Sequence, residues 1–89
     1  MQTIWATEKF DENFADFNEM LFAGIEHEEW LDYEDKQVLI RVEDDYGWDD
    51  LVDLGNGDVL FTDRNSGVHS LAKGVTNLEE FVEKFKSYF

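Results

Sequence analysis

A chain of 89 residues leaves room for one hydrophobic core and no second domain, and 43% apolar with 16% aromatic residues is too rich for a disordered acidic tail. Twenty-two acidic residues against 7 basic ones give a net charge of −15, which weighs against direct binding to nucleic acid or to an anionic membrane surface. The lack of cysteine excludes disulfides, thiolate metal sites and a thiol nucleophile, and favours a reducing, cytoplasmic compartment.

Met1 to Thr7 carry neither a basic segment nor an apolar run, so neither export by a signal peptide nor membrane insertion is expected. Thr3 to Thr7 read as a short strand, with a longer N-terminal helix as the alternative. Phe10, Phe14, Phe17 and Leu21 recur at helical spacing with acids between them, which predicts a helix from Asp11 to Ala23 capped by Gly24. From Lys36 to Glu43, Val38, Ile40 and Val42 alternate with Gln37, Leu39 and Arg41, as a half-buried strand requires. Trp48 to Leu54 fits a strand or one helical turn. Asn56-Gly57 predicts a tight hairpin into a strand at Val59 to Thr62, and Asp63 to Gly67 a second turn into Val68 to Leu71. At the end of the chain Leu78, Phe81, Val82, Phe85 and Phe89 form one helical face, with Thr76 and Glu79 spaced as a capping box. Early glutamates and late lysines suit the helix dipole. The expected fold is one α+β domain over residues 1–89: a small antiparallel sheet of three to five strands, with an N-terminal and a C-terminal helix packed on one face.

The acid is unevenly distributed. Residues 26–53 hold twelve acids and two bases, whereas residues 64–89 hold three acids and four bases. A general solubility device predicts uniform acidity instead. Two clusters stand out as a candidate partner-binding face: Glu26, Glu28, Glu29, Asp32, Glu34 and Asp35, then Glu43, Asp44, Asp45, Asp49, Asp50 and Asp53. Trp30, Tyr33, Tyr46 and Trp48 are interleaved with them as candidate aromatic anchors, although large aromatics are buried often enough to place Trp30 and Trp48 in the core. Carboxylates on alternate strand residues stand roughly 6.6–6.8 Å apart, close to the spacing of successive phosphates.

Catalytic chemistry has no candidate. His27 and His69 lack partners at metal-site spacing, with His27 read as a surface residue and His69 as a strand residue. Ser66, Ser70 and Ser87 stand in no nucleophile motif, the glycines form no phosphate loop, and Asp44 to Asp50 lacks the spacing of a calcium loop. The expectation is a binding protein, not an enzyme, with no cofactor and no metal.

In charge and size the chain is similar to the acidic DNA-mimic inhibitors encoded by phages and mobile elements. That resemblance implies a basic partner, a nucleic-acid-binding protein or nuclease, blocked in the cytoplasm of a bacterial host. The stretch from Gly57-Asp58-Val59-Leu60-Phe61 through Asn77-Leu78-Glu79-Glu80-Phe81 resembles the end of SMI1/KNR4-type immunity domains, which implies the alternative of an immunity protein for a basic toxin. A solvated acidic domain without that role is the third reading.

Overall fold

A computed structural model describes residues 1–19, 22–26, 33–65 and 67–89. In chain order the elements are β1 (Gln2–Trp5), α1 (Glu8–Glu12), α2 (Phe14–Asn18), β2 (Phe22–Glu26), β3 (Gln37–Asp44), β4 (Gly47–Asp53), β5 (Val59–Phe61), β6 (Val68–Ala72) and α3 (Leu78–Lys86). A short 3-10 turn at Tyr33–Asp35 precedes β3. The α+β class with helices at both ends is as the sequence predicts. The sheet of the described residues, however, has six strands in the order β1-β3-β4-β5-β6-β2 and is mixed. β3 to β6 form the expected antiparallel meander, while β1 runs parallel to β3 at one edge and β2 closes the other edge against β6. Parallel pairing of β1 and β3 needs a crossover between them, and α1, α2 and β2 all fall in that connection.

The alternation of β3 sorts its side chains onto two faces. Ile40 and Val42 join Phe17, Leu51, Val59, Ala72 and Phe85 in the main core, under the helices. On the opposite face Val52, Leu54, Leu60 and Leu71 form a second buried cluster with Val38 and Tyr33 against it. Val38 and Ile40 fall on different faces because the register with β4 shifts between them. The extra residue lets Leu39 and Ile40 both serve the main core.

Rings tie the helices together. Phe10 of α1 stacks on Phe89 at 4.5 Å between centroids, and Phe17 of α2 meets Phe85 edge-on at 5.5 Å. Helices of five residues cannot stand alone, so docking of Phe10 and Phe17 stabilises α1 and α2. The single helix expected over Asp11–Ala23 is therefore two short ones, broken at Asn13, whose side-chain amide donates to the Lys9 carbonyl at 2.8 Å. Ala23 and Gly24 lie in β2, where the register with β6 shifts between Ala23 and Ile25. Gly24 thus marks an irregularity in a strand, not the end of a helix.

Two other local expectations change. The β4–β5 connection is not a two-residue Asn-Gly turn: among the described residues none other than glycine has positive φ, and Gly55 (+80°) and Gly57 (+90°) carry the bend. Asn56 accepts the Asp58 N–H there at 3.0 Å. The cap of α3 is Asn77, which accepts the Glu80 N–H at 3.0 Å, so the box is one residue later than Thr76 and Glu79. The ambiguous Trp48–Leu54 segment is strand through Asp53. Among the described residues no helix is long and apolar enough to cross a membrane.

Candidate protein-binding face

Asp44 and Gly47 pair across the β3–β4 hairpin, leaving Asp45 and Tyr46 at its tip. The Asp44 carboxylate accepts the N–H groups of Tyr46 (2.8 Å) and Gly47 (3.1 Å) and an N–H of the Arg64 guanidinium. The Tyr46 N–H, then Arg64, hold the Asp44 carboxyl below its ordinary range. Arg64 also pairs with Asp49 at 3.0 Å, and its own backbone N–H donates to Asp49 at 2.9 Å. Burial nevertheless pushes the Asp49 carboxyl up, because these contacts only partly offset its desolvation. Gly47 has φ +148°, and a Cβ there would meet Arg64 Nε at 3.3 Å. The missing side chain lets the guanidinium lie across the hairpin.

A second ion pair lies on the face opposite the helices. Arg41 on β3 and Asp50 on β4 are directly paired, so their side chains share a face. Arg41 Nε donates to Asp50 at 2.9 Å and a terminal N–H donates at 3.3 Å, a bidentate geometry around a carboxylate only 4% exposed. The Tyr33 hydroxyl approaches the same carboxylate at 3.5 Å, and burial, then the Asp50 charge, raises the tyrosine pKa. Arg41 also lies over the Trp48 ring, 4.7 Å from its centroid. His69, buried on β6, accepts the Asp63 N–H through Nδ1 at 2.8 Å, which leaves the ring hydrogen on Nε2. Tyr33, Trp48, Asp50 and His69 border a cleft of about 360 Å³ that reaches Tyr46.

The predicted face is thus divided. Asp44, Asp49 and Asp50 are engaged by Arg64 and Arg41, and Asp53 accepts the Gly55 N–H at 2.9 Å in a turn. Asp45 and Asp35 are exposed and Glu43 is half-buried, and among the described residues none of these three takes part in an ion pair. Glu26 lies in β2 at the far edge of the sheet, and Glu34 in the 3-10 turn. Glu28, Glu29, Trp30 and Asp32 lie outside the described residues, as does His27. Of the aromatic candidates, Tyr33 is half-buried, Tyr46 is 92% exposed and Trp48 is 50% exposed. Trp48 is therefore not a core residue: it falls on the same strand face as Arg41 and Asp50, near the hairpin tip.

Sequence reasoning missed Trp5, which is 56% exposed. Trp5 pairs with Glu43 and Glu43 pairs with Trp48, so the three form one row across β1, β3 and β4. Its signal was present in the alternation of Thr3, Ile4 and Trp5, since Ile4 packs on the core and its neighbours must then face the other way. Among the described residues no three His, Asp or Glu side chains converge as metal ligands. Comparison of the chain with protein-family models, with curated proteins and with solved structures returned no match.

Proposed function

We propose that this domain binds a basic protein through the β3–β4 hairpin corner and its neighbouring acids, occupying a site where that protein would otherwise hold nucleic acid. The reading is carried by one juxtaposition: the exposed rings of Trp5, Tyr46 and Trp48 stand beside Glu43 and Asp45, neither of which forms a salt bridge with a described cation. Carboxylates draw arginine and lysine side chains in, and aromatic faces hold them by cation–π attraction. Arg41 over Trp48 is an internal example of that second contact. The net charge of −15 raises the rate of encounter with a basic surface, and the rings set the residence time once water is expelled.

The test is capture from a host lysate at low salt on immobilised protein, followed by titration of the captured protein against variants. The double change Glu43→Lys with Asp45→Lys should lower affinity by at least about tenfold, or ~1.4 kcal/mol. Glu12→Lys with Glu19→Lys changes net charge equally but lies at the ends of α1 and α2, where lysine suits the dipole. Equal losses from the two doubles would show that only total charge matters and would remove the hairpin corner from the account. Asp44 and Asp49 are unsuitable for such reversal, because lysine there would confront Arg64.

A further inference from the structure

β1 is an edge strand of four residues, and three of them are exposed. The Ala6 N–H donates to the Glu43 carbonyl at 2.8 Å, so Ala6 faces β3. Backbone direction alternates along a strand, which turns the N–H and C=O of Ile4 toward β3 and those of Thr3 and Trp5 outward. Edge strands are ordinarily guarded by proline, a bulge or an inward-pointing charge. β2, at the other edge, has a register shift, whereas β1 pairs with β3 in unbroken register from Gln2 to Trp5 and carries neither proline nor charge.

What guards β1 from a second copy is the charge of the whole molecule, since two chains at −15 repel one another. The same charge admits an edge of opposite sign. We infer that β1 accepts an extended basic segment of the partner protein as an added strand, with an arginine or lysine of that segment on Trp5 beside Glu43. The inference rests on the acidic-face reading above and specifies how the partner is held. Main-chain hydrogen bonds at Thr3 and Trp5 supply affinity, and alternate side chains of the added strand supply selectivity.

The probe is a synthetic peptide of alternating arginine and valine, compared with a twin of the same charge whose alternate amides are N-methylated and cannot extend a sheet. At low salt the strand-forming peptide should bind at least about tenfold more tightly than its twin, as two or more added hydrogen bonds would give. It should also slow hydrogen exchange at the Thr3 and Trp5 amides. Thr3→Pro removes one outward N–H and no bond to β3, a substitution that edge strands tolerate, and should erase the difference between the peptides. Equal binding of both peptides with unprotected Thr3 and Trp5 overturns strand addition while leaving the acidic face intact. Failure of both peptides to bind overturns the acidic-face reading and this inference with it. Dimerisation of the chain at high salt with protection of the same two amides would make the occupant a second copy and overturn the basic segment.

Discussion

The arginines decide which carboxylates remain available to a partner. Arg41 holds Asp50, whose side chain is 4% exposed, and a buried carboxylate that loses its partner keeps its desolvation cost without compensation. Arg41→Ala should therefore destabilise the fold by about 3–5 kcal/mol in urea denaturation. Replacing Arg41 and Asp50 together by leucine should recover most of that loss, since apolar residues of similar volume meet no such cost. A double variant as unstable as the single one would mean that the ion pair itself, and not the orphaned charge, carries the effect. None of this was legible in the sequence, where Asp50 reads as one acid among many. Its role follows from the cross-strand register that sets Arg41 opposite Asp50, and in a bulged strand periodicity alone does not fix that register.

Elements were more legible than residues where a single periodicity ran without interruption. The face of α3 is as its spacing predicts through Phe85, which is fully buried, with Leu78, Phe81 and Val82 at the core margin; Phe89 packs there too, but from beyond the end of the helix at Lys86. In β3 the β-branched run places the strand, but only Ile40 and Val42 keep the expected face, because the bulge before Ile40 turns Val38 to the other side. Where the spacing of the phenylalanines continued past a break, the reading failed: Phe10 and Phe17 are both core-facing, but they belong to two helices separated at Asn13. A turn between short helices can preserve the face that one longer helix would present. The capping residue of α3 distinguishes the observed start from the one periodicity suggested. Asn77→Ala should cost about 1 kcal/mol, because the Glu80 N–H loses its acceptor, while Thr76→Ala should change stability by less than ~0.5 kcal/mol. Thermal denaturation of the two variants side by side measures this, and a reversed order would place the cap at Thr76.

For the molecule as a whole, charge and fold act together. Helices and the C-terminal segment close one face of the sheet, so the acids and rings of the β3–β4 corner are left toward solvent on the other. Arg41 and Arg64 are both held by carboxylates of β3 and β4, which leaves Asp45, Asp35 and, outside any salt bridge, Glu43 as available acids among the described residues. The overall acidity was legible from composition, but its division into engaged and available carboxylates needed the tertiary structure. If the available ones imitate a row of phosphates, the protein and a nucleic acid must exclude each other on the same partner. The most direct measurement is a competition titration: the captured basic protein, saturated with its labelled nucleic acid at low salt, receives increasing amounts of this domain. The account predicts complete displacement of the label, with an apparent affinity that falls steeply as salt rises. A ternary complex retaining both ligands, or displacement indifferent to salt, would contradict it.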